Sequence, residues 1–573
     1  MTPSSDVFDA TSSPVLLNTT TIPSEWLRKN FAMWAAFSGI ECDNHKFTYD
    51  GHSYLWPLFG DKSENIVLMK AAQMGATIYM ILKSFHMALY PEAWGFPHPI
   101  KVGFYFPEQK GISRIIIDRI LPMMRSSDDL RLYSKDKRQE LRQIGRSTLY
   151  YLYMGGKSTK DSVPLNALFI DEVRLITLGD IYQAYKRLLH SVPYKFKNHV
   201  STAGYPENDI HKLFLNTDQK WFTTICERCG CEQVLPLEFP ECIAMPAAHS
   251  TTAGQVYYKC KKCTKKLRDP QVGRYIPHGD PNHEYSGYQI SQLISHRITA
   301  KEIMQEYDDT TNMKEFYNAI LGMPFVDAKN KPVTLDILEG AINSAVEWGE
   351  AGTYPCYMGV DQMLNLNYVW VTQRRAGKRR VIWFEIIESE DPWQRTNEIF
   401  EMFNVQVCIC DALPNANEAL RWAKTHEKKI FLVYYVDSKE QVRWNDSFKT
   451  KKTQKKANPE TYYKYSILLD RYSAVEYTLK LFEDDKVEFP VPEDHLVKCH
   501  PYNGGPKQAY PILRTHAFPM LCCGVRERII IEEETGKDRY RWNFIGMDPH
   551  ALHSFVYAVW ASERKGFSFS FSM

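Results

Sequence analysis

The sequence predicts an α/β protein of two domains, the first on a mostly parallel sheet and the second on a smaller mixed one. Three observations point there. At 573 residues the chain exceeds what one hydrophobic core ordinarily organises. Short apolar runs alternate with amphipathic stretches through the first half, the pattern of strands covered by helices. Trp348-Gly349-Glu350-Ala351-Gly352-Thr353 then breaks that pattern, and a new series of strands starts at Cys356.

Composition bounds the function. Apolar residues make up 44% and charged residues 24%, which fits a folded globular chain and excludes wholesale disorder. With a formal net charge of +2, any binding of nucleic acid must rest on local basic surface. The first residues lack the basic and apolar regions of a signal peptide, and no run approaches the ~20 apolar residues of a membrane span. An intracellular, reducing location is therefore expected, without a membrane partner. There the thirteen cysteines suit metal binding better than disulfides.

The elements follow in order. Residues 1–50 carry the least pattern, and 51–345 read as the first domain. The run Ile66-Val67-Leu68-Met69 predicts a strand, 77–89 a helix and 102–106 a second strand. A cysteine-bearing insert occupies 223–268, and a helical stretch is expected over 299–321. After a linker at 346–355, strands are predicted at 356–360, 368–372 and 381–387, then a helix at 393–403 and a strand at 405–410. An antiparallel meander followed by alternating helix and strand is the order of an RNase H-like fold, assigned here to 356–573. The lysine-rich run 449–456 is expected to be a surface loop.

Chemistry gathers at three places. The strand ending at Met69 leads through Lys70-Ala71-Ala72-Gln73-Met74-Gly75-Ala76-Thr77 into a helix, which sets backbone N–H groups and a positive helix end where phosphates bind. Gly75 and Thr77 fit a P-loop, whereas Lys70 stands at its first glycine position and Ala76 at its lysine position. Downstream, Ala167-Leu168-Phe169-Ile170 ends in Asp171 and Glu172, one acid for Mg²⁺ and one for the attacking water of ATP hydrolysis. A further strand end, His199-Val200-Ser201-Thr202, is placed to sense the γ-phosphate.

In the insert, Cys226-x-x-Cys229 and Cys260-x-x-Cys263 offer four thiolates for a structural, ribbon-like Zn²⁺ site, with Cys231 and Cys242 as spare thiols. In the second domain Asp361 and Asp411 each end a strand, and Asp548 and His550 open a helix. Carboxylates so placed can hold the two divalent metals of a nuclease, Mg²⁺ or Mn²⁺, with Glu385 as a reserve ligand. The stretch Arg374-Arg375-Ala376-Gly377-Lys378-Arg379-Arg380 is a candidate for phosphate contacts.

Lys-Ala-Ala-Gln-Met-Gly-Ala-Thr, Phe-Ile-Asp-Glu-Val and Val-Ser-Thr-Ala-Gly resemble the ATPase motifs of phage large terminase subunits, especially the lambda-type branch. Phe316-Tyr317-Asn318-Ala319-Ile320-Leu321-Gly322-Met323-Pro324 is similar to that branch's F-x-N-x-x-L-G-x-P signature. The resemblance implies that Lys70, displaced from the usual position, contacts phosphate together with Gln73, Gly75 and Thr77. Mg²⁺ would sit at Thr77 and Asp171, Glu172 would be catalytic, and Ser201 and Thr202 would couple hydrolysis to movement. It implies cutting at Asp361, Asp411 and Asp548, where the family's D-D-H-x-x-D motif meets Pro549 and His553 in this chain. It further implies packaging of double-stranded viral DNA in the host cytoplasm, by a homo-oligomer seated on the procapsid's portal protein and working with a small terminase subunit. Two other readings, a helicase-like or repair ATPase with a fused nuclease and a non-catalytic zinc-bearing assembly protein, fit the motifs less fully. The first lacks motifs of a second ATPase-like lobe after Thr202, and the second would not need Glu172.

Overall fold

The computed structural model describes residues 24–138, 141–154, 163–189, 194–245, 255–436, 441–445, 464–498, 509–529 and 539–564. The run 449–456 lies outside them. The chain divides into two compact units, Met1–Phe325 and Val326–Met573.

The first unit is built on an 11-stranded sheet. Its parallel centre comprises β1 (Asn65–Lys70), β2 (Lys101–Phe106), β3 (Ser147–Tyr153), β4 (Ala167–Asp171), β5 (Phe196–Ser201), β6 (Lys220–Ile225) and β7 (Tyr285–Ile290), in the order β6-β7-β1-β5-β4-β2-β3. Antiparallel strands extend both edges. β1 and β4 are buried along almost their whole length, as near-continuous Ile, Leu, Val and Phe runs require of strands covered on both faces. Helix α1 (Ala76–Leu89) follows β1 and is itself almost wholly buried.

The described part of the N-terminal segment belongs to this unit's core. Phe31 stacks on Phe59 with ring centroids 4.8 Å apart, and the Tyr49 hydroxyl donates to the Ala32 carbonyl at 3.0 Å. The helical stretch expected at 299–321 is broken: Ala300–Asp309 ends, and a shorter turn restarts at Met313, where the Asn312 side chain accepts from the Glu315 N–H. Asn312 takes a capping position that competes with helix continuation.

The second unit has an eight-stranded sheet. Its strands are β8 (Cys356–Gln362), β9 (Leu366–Arg375), β10 (Lys378–Glu388), β11 (Val407–Asp411), β12 (Ile430–Val436) and β13 (Ser466–Asp470), ordered β13-β12-β11-β8-β9-β10 and flanked by two short strands. The β8-β9-β10 meander is antiparallel and the β8-β11-β12-β13 side parallel, which is the RNase H-like arrangement expected from the order of elements. Helices α2 (Pro392–Met402) and α3 (Ala416–Thr425) cover one face, and α4 (Arg471–Glu483) and α5 (His550–Ala561) cover the other.

Residues 326–345 differ from their expected place in the first domain. Val333 and Leu338 are buried in the core of the second unit, and the Asn343 N–H donates to the Phe489 carbonyl at 2.9 Å. The glycine-rich composition that marks a linker at 346–355 carries no information about which side the preceding helix, Leu335–Gly340, will pack on.

The basic run at 374–380 also differs from expectation. It forms the β9–β10 hairpin, turned by Ala376 and Gly377 at φ 48° and 83°. Four of its five charges are paired: Arg379 and Arg374 with Glu563, Arg380 with Glu488 at 3.0 Å, and Lys378 with Asp485 at 3.1 Å; Arg375 lies over the Tyr354 ring and donates to the Ala351 carbonyl. Charges already matched to carboxylates have less to offer a phosphate.

Candidate functional sites

The first site forms where β1, β4 and β5 end. Lys70 closes β1 and is 7% exposed. The turn after it is anchored from outside: the Ala71 N–H donates to the Ile290 carbonyl at 2.6 Å and the Ala72 N–H to the Ala319 carbonyl at 2.7 Å. Gln73 (φ 57°) and Gly75 (φ 77°) adopt left-handed conformations, and α1 starts directly after Gly75. Such a turn opens the backbone around the helix's positive end, the arrangement that receives phosphate oxygens.

Opposite it, the Thr77 hydroxyl donates to Asp171 Oδ2 at 3.1 Å. Burial raises Asp171 to about 6, the charge of Glu172 adds to the shift, and Lys70 opposes it. Glu172 follows in a left-handed conformation (φ 51°) that turns its side chain out of the strand line. Its carboxylate lies 3.7 Å from the Arg174 guanidinium, and the Arg174 N–H donates to Ser201 Oγ at 3.1 Å. Ser201 and Thr202 are both buried, so the ends of β4 and β5 are tied together by residues from each. The donor set of Lys70, Thr77 and Asp171 fits a Mg²⁺–nucleotide phosphate group.

The motif at 316–324 has a structural role that its sequence alone does not reveal. Asn318 Nδ2 donates to the Gly204 carbonyl at 3.0 Å and the Met323 carbonyl at 2.7 Å. Gly322 (φ 66°) sits so close to the turn after β1 that a Cβ there would be 2.6 Å from the Ala71 nitrogen. One short segment therefore braces both the phosphate-binding turn and the chain leaving β5.

The four predicted zinc ligands converge. The Sγ atoms of Cys226, Cys229, Cys260 and Cys263 all lie within 4.8 Å of one another, with Cys226–Cys263 at 3.8 Å and Cys229–Cys260 at 3.6 Å. A tetrahedron with Zn–S of about 2.3 Å has edges of about 3.8 Å, so the cluster could hold Zn²⁺ with little movement. The two knuckles are built alike. The Gly230 N–H donates back to the Cys226 carbonyl at 2.8 Å and the Thr264 N–H to the Cys260 carbonyl at 2.9 Å, with Gly230 and Thr264 left-handed in both turns. Cys231 and Cys242 stand outside the cluster.

In the second unit β8 and β11 run parallel with Val360 opposite Cys410, which places Asp361 and Asp411 side by side. Their carboxyls hydrogen-bond to each other. Burial raises both; Asp411, next to Asp361, reaches about 7, while the hydrogen bond from His550 restrains Asp361. His550 Nδ1 lies 2.6 Å from Asp361 Oδ2, and that bond raises the imidazole's affinity for its proton. Helix α5 reaches this close because β8 carries Gly359, where a Cβ would meet the Ser554 carbonyl oxygen at 2.0 Å and the Ala558 nitrogen at 2.4 Å. Asp361 and Asp411, with His550 bonded to Asp361, offer oxygen and nitrogen donors of the kind Mg²⁺ or Mn²⁺ takes, though among the described residues only the four cysteines converge as closely as a bound metal's ligands.

The other predicted members separate. Asp548 is exposed at the rim, near enough to His550 to raise its proton affinity, and the N-cap position of α5 belongs to Pro549. His553 faces inward, its Nδ1 3.0 Å from the Tyr435 hydroxyl, and burial lowers it to about 3, so it is neutral. Glu385 is not a reserve ligand. It pairs with Val369, which pairs with Val360, so it projects on the face opposite Asp361 and accepts from Arg395 at 2.9 and 3.1 Å. The structure adds Tyr557, whose hydroxyl donates to Asp411 Oδ2 at 3.0 Å. The spacing of His550, His553 and Tyr557 on one helical stripe was the available signal.

Residues 58–280 match the family model of the phage terminase large subunit gpA ATPase domain. No curated protein matches the chain. Among solved structures, the large terminase of bacteriophage HK97 is similar at a TM-score of 0.50 and 9% identity, over 93% of this chain and 99% of that one. The large terminase of thermophilic bacteriophage D6E in complex with ATP-gamma-S matches at a TM-score of 0.26 and 11% identity, over 86% and 93%. The large terminase nuclease of thermophilic phage G20c matches at 0.23 and 10%, over 40% and 97%. Residues 58–280 therefore match the gpA-type ATPase domain of phage large terminases, and the fold of the chain as a whole is similar to that of the HK97 large terminase.

Proposed function

We propose that this chain packages double-stranded viral DNA, using ATP hydrolysis in the first unit to move the duplex and metal-dependent cleavage in the second to cut it. One observation carries the reading. A single chain combines a phosphate-binding turn facing Asp171 and Glu172 with a separate pair of aspartates at neighbouring strand ends, Asp361 buried and Asp411 half-buried, touched by a histidine.

In the first unit Lys70, Gln73, Gly75 and Thr77 hold the nucleotide phosphates, and Asp171 with Thr77 holds Mg²⁺, which when bound neutralises phosphate charge. Glu172 orients and deprotonates the attacking water. Loss of the γ-phosphate is read at Ser201 and Thr202 and passed on through the brace formed by Asn318 and Gly322. The Cys226, Cys229, Cys260 and Cys263 cluster holds one Zn²⁺ and staples the insert, with no open position for chemistry. In the second unit Asp361, Asp411 and His550 hold Mg²⁺ or Mn²⁺, and Asp548 at the rim supplies a further carboxylate. The bound metal supplies Lewis acidity at the scissile phosphate. The chain works as a homo-oligomer on the portal protein with a small terminase subunit, in the host cytoplasm.

Two variants test the reading. Glu172→Gln is expected to keep ATP binding and lower DNA-stimulated turnover by about 100-fold or more, since it removes a general base and not affinity. Asp361→Ala is expected to abolish plasmid cutting in Mn²⁺ and leave ATP hydrolysis intact. Wild-type hydrolysis in Glu172→Gln would remove the ATPase assignment, and undiminished cutting in Asp361→Ala would remove the nuclease assignment.

A further inference from the structure

Arg471 is the first residue of α4, and its exposed side chain reaches the edge of the aspartate pair. Its guanidinium lies between two rings, 5.8 Å from the Tyr435 centroid and 5.7 Å from that of Phe544. One Nη donates towards His553 Nε2 at 3.5 Å. From His553 the contacts run inward without a gap: Nδ1 to the Tyr435 hydroxyl at 3.0 Å, Tyr435 to Tyr557, and Tyr557 to Asp411 at 3.0 Å. Rings and network fix where the guanidinium stands.

Among the described residues no carboxylate lies within ion-pair distance of Arg471. This sets it apart from Arg374, Arg379 and Arg380 of the β9–β10 hairpin, which are paired. A guanidinium stacked on aromatic rings keeps its remaining N–H donors free in a fixed plane, the geometry that takes two oxygens of a phosphate.

We infer that Arg471 is a phosphate-binding residue of the nuclease site, gripping a phosphodiester of the DNA strand next to the one held at Asp361 and Asp411. The inference rests on the nuclease reading above. Arg471 acts on the duplex and not on the metal, so its loss leaves the carboxylates' metal affinity unchanged.

The test compares the full-length wild type with Arg471→Gln, Arg471→Lys and Asp361→Ala. Duplex oligonucleotide binding is followed by fluorescence anisotropy across a salt series with Ca²⁺ in place of Mn²⁺. Mn²⁺ binding is measured by calorimetry, and plasmid cutting is measured in Mn²⁺. Removing one phosphate contact is expected to reduce the slope of log affinity against log salt by about 1 in Arg471→Gln, with Arg471→Lys restoring it. Cutting in Arg471→Gln is expected to fall about tenfold or more, with Mn²⁺ affinity within about twofold of wild type, the size of one lost charge-assisted contact. An unchanged salt slope with wild-type cutting overturns the proposal alone, provided Asp361→Ala no longer cuts. Loss of Mn²⁺ affinity in parallel with cutting overturns it in favour of a structural role. A wild type that neither binds Mn²⁺ nor cuts overturns the nuclease reading, and this proposal with it.

Discussion

Asp411 shows how a single side chain can carry a measurable signature of its site. Burial and the neighbouring Asp361 raise it to about 7, well above the 3.8 of a free aspartate. In the metal-free chain the folded state therefore holds a proton that the unfolded state releases between those values. Stability from this group is complete below about pH 4 and is lost as pH rises through about 7. Asp361, also raised, contributes in the same direction. Thermal melts in a chelator are expected to show the second unit weakening from pH 5 to pH 8, and Asp411→Asn is expected to flatten that slope. A slope unchanged by the substitution would show that Asp411 is not the proton-holding group. Asp171, raised to about 6, acts with the same sign in the first unit, so the two melting transitions must be followed separately.

At the scale of elements, the contact between α5 and β8 decides whether His550 reaches Asp361. Gly359 allows it, since any Cβ there would collide with backbone atoms of α5 that cannot rotate away. Gly359→Ala is expected to destabilise the second unit by about 1–3 kcal/mol, as overpacking does, and to weaken Mn²⁺ binding by moving the helix. Denaturant melts and calorimetry on that variant check both effects, and wild-type values in both would show that α5 shifts without cost. The zinc knuckles are a second case. Their sulfurs are brought together by two like turns, while Leu235, Phe239, Ile243 and Tyr258 of the insert join the first unit's core, so metal is expected to hold the knuckles. Elemental analysis is expected to find about one Zn²⁺ per chain, lost in Cys226→Ser or Cys263→Ser, with the insert becoming protease-sensitive while the second unit melts as before. Retention of zinc by either variant would direct attention to Cys231 or Cys242.

For the molecule as a whole, the division between units sets where it can be cut into folded pieces. Val333 and Leu338 are 1% and 0% exposed within the second unit's core, and burying each such side chain contributes about 1.5–3 kcal/mol. A fragment starting at 326 is thus expected to be more stable than one starting at 346 by several kcal/mol, an estimate from the same burial scale. Chemical denaturation of the two fragments measures the difference. Equal stabilities would mean that 326–345 only lies on the second unit's surface.

The sequence by itself determined those features that depend on local order. Apolar runs of strand length set β1, β4, β8 and β11, the residues following them set the strand-end acids, and paired Cys-x-x-Cys spacing set the sulfur cluster. The order of elements alone determined the RNase H-like topology. Only the tertiary structure decided matters that depend on which face or partner an element meets. Glu385 was assigned to the metal site as a reserve carboxylate near a strand's end, yet the alternation of strand side chains turns it away. The basic hairpin was assigned to phosphate, yet its partners Glu488 and Glu563 lie far along the chain. Residues 326–345 were assigned to the first domain because the linker signal follows them, yet it is the core they pack into that places them. In the same way Asn318 and Arg471 acquired roles only when distant segments closed around them, because a hydrogen bond or a ring contact depends on proximity in space, which local sequence pattern does not encode.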